Sequence, residues 1–338
     1  MSPPGADLRP APVLVTGASG FLGAHLCRTL REAGWPVRAL VRRGGGRAPE
    51  GVEAVEGDGL FDDAALRRAA DGVAAVVHAA GRAHVLREHA ADPGAEFCRV
   101  NVEGTVRVLD AAAAAGARDF VFVSSVAAVA SRGTGEVLDE STPPAPDTPY
   151  GRSKLEAEGA LFRRAAETGV RAAALRPPMI YGAGMKGNPL RLLRLVDGGI
   201  PVPVPARAGA RSLAYAGNVA AAAAALLDAP AAAGAFFVRD AADVTTPELV
   251  RAMGAALGRP PRLLPVPLPL MRAAGRAGDL LSRAVPFPLD SDAVDRLFGA
   301  LRVDASRLER ETGFRPPFTL AEGMAATAAW FRAARGAR

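Results

Sequence analysis

Apolar residues in this chain come in short runs separated by amphipathic stretches that end on glycine. Val13-Leu14-Val15 is a compact apolar run ending in glycines. Residues 21–33 carry apolar positions at helical spacing, and Gly34 is placed to stop them. Residues 37–41 and 52–56 read as the next strands, 62–70 as a helix, and 73–80 (V-A-A-V-V-H-A-A) as a strand buried on both faces. A long helical stretch over 96–115 closes at Gly116, and 120–123 follows as a further strand. This alternation predicts an α/β fold with a doubly wound parallel sheet.

The texture changes after Arg176. Pro177, Pro178, Pro189, Pro201, Pro203 and Pro205 interrupt regular structure, and Gly182, Gly184 and Gly187 loosen it. Residues 218–227 return to helix and 236–238 to strand. Thr246-Pro247-Glu248 reads as a cap and first-turn proline opening a helix through Leu257, and 260–290 are again proline-rich. Residues 11–176, with roughly 212–240, are expected to form the sheet domain. Residues 177–211 and 241–333 are expected to form a smaller substrate-covering region.

At 338 residues the chain can bury a large core. The net charge of +6 comes mostly from scattered arginines, with no basic block interleaved with aromatics, which argues against nucleic acid as a partner. An electropositive cleft for phosphates explains the same charge. Cys27 and Cys98 are too few for a disulfide framework or a metal site and read as reduced thiols. The start, Met1-Ser-Pro-Pro-Gly-Ala, does not read as a signal peptide, and the apolar stretch 219–238 is broken by Asp228, Pro230 and Gly234. A cytoplasmic protein without a membrane span is expected.

Thr16-Gly17-Ala18-Ser19-Gly20-Phe21-Leu22-Gly23 follows the first strand and opens the first helix. Glycines there permit a tight turn, close backbone approach to a diphosphate and close helix–strand packing. The following helix offers free N–H groups to an anion. Gly17, Ser19, Gly20, Phe21, Leu22 and Gly23 are therefore candidate cofactor contacts. Tyr150 and Lys154, in Tyr150-Gly-Arg-Ser-Lys154, share one helical face at about 5–6 Å between Cβ atoms. An adjacent ammonium lowers a phenol's pKa, so the pair predicts a depressed Tyr150 able to move a proton. Alone this spacing is equally that of a surface turn; the glycine loop and a Ser124-Ser125 pair at a strand end give it weight. Where an NAD enzyme usually places an acid for the ribose hydroxyls, the second strand ends in Val41, then Arg42 and Arg43. An acid would repel a 2′-phosphate and an arginine would bind it, so NADP(H) is favoured over NAD(H). The alternative is that both arginines are simply solvated.

The glycine spacing G-x-x-G-x-x-G, with Tyr150 and Lys154, resembles the short-chain dehydrogenase/reductase superfamily, in its extended branch. Further motifs agree along nearly the whole chain: Asp58, His78-Ala79-Ala80-Gly81, Asn101-Val-Glu-Gly-Thr105, Ser124-Ser125 and Arg176-Pro177-Pro178-Met-Ile180-Tyr181-Gly182. The resemblance implies a Rossmann-type sheet. It also implies cofactor contacts from Asp58, Gly59, His78, Ala79, Ala80, Asn101, Ser124, Tyr150, Lys154, Pro177 and Ile180 beside the glycine loop. Within the superfamily the chain is similar to nucleotide-sugar enzymes of the UDP-glucose 4-epimerase type, nearest the 4-ketoreductases of UDP-4-keto-6-deoxy-N-acetylhexosamines. Residues 78–84 (H-A-A-G-R-A-H), 184–188, 211–215 and 296–304 carry that likeness. It implies Asn188, Arg211 and Arg296 around the nucleotide diphosphate, a role that suits guanidinium forks. Asn188 could equally cap a helix starting at Pro189, and each arginine could be a solvated surface residue.

The implied chemistry is hydride transfer. Tyr150 exchanges a proton with the reacting oxygen, Ser125 hydrogen-bonds that oxygen, and Lys154 holds the nicotinamide ribose; of the two serines the family pattern favours Ser125. Where many epimerases and dehydratases carry Tyr-Gly shortly after this serine, the run here is Val-Ala-Ala-Val-Ala, which weakens any detailed substrate transfer. Two activities stay open: NADPH-dependent reduction of a 4-keto nucleotide sugar, and NAD-dependent 4-epimerisation. A non-catalytic nucleotide sensor ranks below both, because Tyr150 and Lys154 are present. Relatives commonly dimerise, so a homodimer through helices 96–115 and 150–167 is expected.

Overall fold

The computed structural model describes residues 11–83, 92–133, 135–205, 209–281 and 299–336. Its strands, in chain order, are β1 (Val13–Thr16), β2 (Val37–Arg42), β3 (Glu53–Gly57), β4 (Ala75–His78), β5 (Asp119–Val123), β6 (Val137–Leu138) and β7 (Arg171–Arg176). Then follow β8 (Met179–Tyr181), β9 (Val202–Pro205), β10 (Leu213–Tyr215), β11 (Gly234–Phe237), β12 (Leu263–Val266) and β13 (Arg302–Val303). Seven of them form one parallel sheet in the order β11-β7-β5-β4-β1-β2-β3. The fold is a Rossmann-type doubly wound α/β sheet, as the alternation of elements predicts.

Both faces of the sheet are covered, which is why its strands read as continuous apolar runs. Val13 and Val15 of β1, Val77 of β4 and Val121 and Val123 of β5 face one core with Leu26, Leu30, Val219 and Leu226. Those partners come from α1 (Phe21–Glu32) and the later helix Ala216–Leu227. Leu14, Val76, Phe120 and Phe122, one residue out of phase, face a second core with Leu66, Val108, Leu109, Ala157 and Leu161. Leu66 comes from α2 (Asp63–Ala70). Val108 and Leu109 lie beyond α3 (Pro93–Cys98), on α4 (Gly104–Ala114), and Ala157 and Leu161 lie on α5 (Pro149–Thr168).

Several elements differ from expectation. The stretch expected as one helix over 96–115 is α3 and α4 joined by a π-helical turn, Arg99–Glu103, which carries Asn101. A π turn inserts one extra residue and so re-aims the side chain it carries. The helix Thr246–Leu257 is capped by Thr245, not Thr246, in a capping box with Glu248. The proline-rich stretch after 260 holds a strand, β12, and a helix, Leu268–Leu281. Pro265 is tolerated because, among the described residues, β12 is an edge strand paired with β9 alone. Beside the sheet, Tyr181, Met185, Leu193, Leu213, Val250, Met253 and Met324 form a separate core.

Candidate active site

Strands β3, β2, β1, β4, β5 and β7 lie side by side and run parallel, so the residues following each strand line one edge. Arg43, Asp58, the glycine loop, Ala79-Ala80, Ser124-Ser125 and Pro177 all fall there. The order reverses at β1, with β2 on one side and β4 on the other, which is where such sheets bind dinucleotides.

The glycine loop is wedged at that point. Gly17 has φ 73°, and a Cβ on it would sit 2.7 Å from the Ala80 nitrogen and 2.8 Å from the Ala79 carbonyl carbon. A Cβ on Gly23 would sit 2.0 Å from the Gly17 carbonyl oxygen. Gly20 caps α1 with no side chain of its own, so the cap position itself offers no side-chain acceptor to the first turn of the helix. The loop after β2 folds over this turn: a Cβ on Gly46 would meet the Ser19 side chain at 2.8 Å. Arg42 and Arg43 are exposed there, and Arg43 Nε lies 3.7 Å from Asp58 Oδ1. An open helix N-terminus for a diphosphate, flanked by cations and a carboxylate at the adjacent strand ends, fits a pyridine dinucleotide.

Tyr150 stands in the first turn of α5. Thr148 caps that helix by accepting from the Gly151 amide at 3.0 Å, and Pro149 opens it. A Cβ on Gly151 would sit 2.3 Å from the Ala127 carbonyl oxygen, so only glycine lets α5 lie this close to the turn after Ser125. Ser125 Oγ accepts from the Ala127 amide at 3.1 Å, and its hydroxyl pulls the Tyr150 phenol pKa down. The phenol is half-buried, with the Phe97 ring edge-on at 6.1 Å.

The expected depression of the Tyr150 pKa is not what the structure gives. Burial pushes the phenol up, with only the Ser125 hydrogen bond pulling it down. Lys154 points inward: its Nζ donates to the Val123 carbonyl at 2.8 Å and lies 4.4 Å from the centre of the Phe122 ring. Burial pulls the Lys154 pKa down to about 8, against the opposing pull of Glu158.

Asn101 joins two parts of the site. Its Oδ1 accepts from the Arg82 amide at 2.8 Å, and its Nδ2 donates to the Arg82 carbonyl at 3.0 Å and to Ser153 Oγ at 2.9 Å. The segment leaving β4 is thereby fixed to the helix that carries Tyr150 and Lys154. His78 is fully buried and stacks on Phe122, and its Nδ1 lies 2.6 Å from Thr16 Oγ1. Burial, with the nearby Lys154 charge, pushes its pKa down to about 3, so the ring is neutral.

Ser124, expected among the cofactor contacts, is buried and donates its hydroxyl to Glu158 instead. The helix Gly187–Asp197 starts ahead of Pro189 with Lys186 as its cap, so Asn188 lies half-buried in the first turn and does not cap it. Arg211 is buried and donates to the Gly299 carbonyl, and its main chain bridges Val244 with two 2.9 Å bonds. Burial pulls its pKa down to about 10. Arg296 and His84 lie outside the described residues. Sequence reasoning missed Glu158, although it continues the buried stripe Lys154, Ala157, Leu161 and Ala165 at helical spacing. A carboxylate on such a stripe is the signal.

A glycine-wedged turn at the switch point, with a serine–tyrosine pair and a buried lysine further along the same edge, defines a pyridine-nucleotide enzyme on a Rossmann-type sheet. The chain belongs to the NAD dependent epimerase/dehydratase family, whose pattern matches residues 13–238, and so to the extended short-chain dehydrogenases/reductases. It is 34% identical to a UDP-glucose 4-epimerase of Vibrio cholerae, over 95% of this chain and 96% of that protein. It is 32% identical to a ceramide reductase of Caulobacter vibrioides, over 95% of each. The solved structure of a UDP-glucose 4-epimerase of Thermus thermophilus in complex with NAD superposes with a TM-score of 0.73. The two are 26% identical, over 96% of this chain and 99% of that one. No described helix is long and apolar enough to cross a membrane.

Proposed function

We propose that the protein reduces a 4-keto nucleotide sugar with NADPH. The observation that carries this reading is the placement of Ser125 and Tyr150 beside buried Lys154, on the edge where the glycine loop opens. A bound pyridine nucleotide supplies or accepts hydride. Tyr150 gives its proton to the reacting oxygen in reduction and takes it back in oxidation. A phenol raised by burial rests protonated, which suits it to donate. Ser125 bonds the same oxygen, and Lys154 holds a ribose hydroxyl. Exposed Arg42 and Arg43, where an acid would select NAD, support the exchangeable NADPH that a net reductase needs. Asn188, Arg211 and Arg296 are proposed for the nucleotide diphosphate, and residues 177–211 and 241–333 for the substrate region. A cytoplasmic homodimer belongs to the same proposal.

The second reading, an NAD-dependent 4-epimerase, is favoured by the likeness to the Vibrio cholerae epimerase over nearly the full length of both chains. The test is purification followed by identification of the co-purifying nucleotide. Protein that arrives without nucleotide and consumes NADPH on a UDP-4-keto-6-deoxyhexosamine supports the reductase. Stoichiometric bound NAD, with interconversion of UDP-sugars and no added cofactor, supports the epimerase.

A further inference from the structure

Three polar groups sealed beneath the reactive pair take no part in the chemistry above. Glu158 is 2% exposed and stands one helical turn beyond Lys154. Arg176, at the end of β7 and 7% exposed, grips its carboxylate with two nitrogens: Nε to Oε1 at 3.0 Å and Nη2 to Oε2 at 2.6 Å. The Ser124 hydroxyl, at the end of β5, donates to Oε1 as well. Main-chain bonds tie the same strand ends, from the Ser124 amide to the Leu175 carbonyl at 2.7 Å and from the Val126 amide to the Pro177 carbonyl at 2.9 Å. A buried ion pair seldom stabilises a fold more than well-packed apolar residues would. A buried triad where α5, which carries Tyr150 and Lys154, meets the end of β7 and the end of β5, which leads into Ser125, therefore points to the site rather than to the core.

We infer that Glu158 is the positioning residue of this site. Its carboxylate pins α5 to the ends of β5 and β7 and supplies the negative charge that faces the Lys154 ammonium. The inference rests on the proposed roles of Tyr150 and Lys154. The groups around Lys154 are Tyr150 and Glu158 on its own helix, the Val123 carbonyl and the Phe122 ring on β5, and His78 on β4, with Arg176 of β7 behind Glu158. His78 is neutral, so Glu158 is the anion in this set, opposing the desolvation of the ammonium. Without that charge Lys154 sheds its proton at lower pH, and Arg176, left unpaired, pushes the same way.

The experiment measures NADPH affinity by fluorescence titration across neutral to alkaline pH, and kcat over the same range. It compares wild type, Glu158→Gln, Glu158→Asp, the double variant Glu158→Gln/Arg176→Met, and Lys154→Met. In the wild type, affinity falls as Lys154 loses its proton. Glu158→Gln moves that limb down by about one pH unit. Glu158→Asp keeps the charge, so its limb stays at the wild-type position while kcat drops. The double variant leaves no buried charge unpaired, retains the fold if the single variant does not, and moves the limb in the same direction. A limb at the wild-type position in the double variant overturns the inference, as does a limb that shifts as far in Glu158→Asp as in Glu158→Gln. Lys154→Met removes the limb; a limb that persists there overturns the reading of Lys154 itself, and with it the inference.

Discussion

Gly23→Ala probes the dinucleotide site without touching a charged or reactive group. The new methyl would start 2.0 Å from the Gly17 carbonyl oxygen and 2.7 Å from the Ala18 Cα, where ordinary contact begins at 3.4 Å. Its neighbour is main chain, and that main chain is already pressed against Ala79 and Ala80 on its other side. The loop therefore has nowhere to retreat, and α1 must draw back from it by about 1.4 Å. Overpacking of this kind costs about 1–3 kcal/mol, and each kcal/mol lowers the melting temperature by roughly 2–4 °C in a large domain. The greater effect falls on the ligand. A phosphate bonded at about 2.9 Å to the α1 N-terminus would be drawn beyond bonding range. Two charge-assisted bonds, at about 1.5–3 kcal/mol each, are then lost. The NADPH Kd should rise by about 100-fold or more, read by fluorescence titration beside a thermal melt. A variant that binds NADPH within about threefold of wild type would refute the claim that this wedge sets the phosphate site.

Tyr150→Phe should lower kcat by about 10²–10⁴-fold while leaving the melting temperature near wild type, since only a hydroxyl is lost; comparable activity in the variant would remove Tyr150 from the chemistry. Arg42→Asp should raise the ratio of NAD to NADP affinity, and an unchanged ratio in paired titrations counts against the assignment of the β2 end. Asn101→Leu removes the three hydrogen bonds that join the Arg82 main chain to Ser153, at about 0.5–1.5 kcal/mol each, so urea midpoints should fall clearly; a neutral result would show that the bridge carries no stability. His78 is held neutral with its pKa near 3, well below the ordinary 6.5. The stability this confers is complete above pH 6.5 and is lost as pH falls toward 3, by about 1.4 kcal/mol per pH unit. His78→Phe should flatten that acid slope, and an equal slope in both proteins would place the acid sensitivity elsewhere.

What the sequence made legible was local. The strands of the sheet alternate on a period of two between two apolar layers, so Val13-Leu14-Val15 and 120–123 announce themselves. The glycine loop is defined by three backbone constraints that fall within seven residues. The start of α5 is marked by Thr148 and Pro149. Legibility failed where the deciding neighbour is distant in the chain. Four-residue spacing places Lys154 beside Tyr150 on a helix, but the carbonyl that captures its ammonium belongs to Val123, 31 residues earlier. The partners of Glu158, Ser124 and Arg176, come from two other elements, which its place in the α5 repeat does not disclose. The π turn at Asn101 has no propensity signature; its extra residue is held by bonds to Arg82 and Ser153. Proline density after residue 260 suggested loop, yet Pro265 sits on a strand edge and Pro269 in the first turn of a helix, where a missing N–H costs little.

The central claim is tested most directly by isotope transfer. Purified protein is mixed with NADPH carrying deuterium at the transferring position and with a UDP-4-keto-6-deoxy-N-acetylhexosamine, and the product sugar is analysed by NMR and mass. Wild type should lose the reduced-nicotinamide absorbance with deuterium appearing at C4, and Tyr150→Phe should show neither. Full-rate transfer by Tyr150→Phe, or no transfer by a wild-type protein shown to bind both ligands, would contradict that claim.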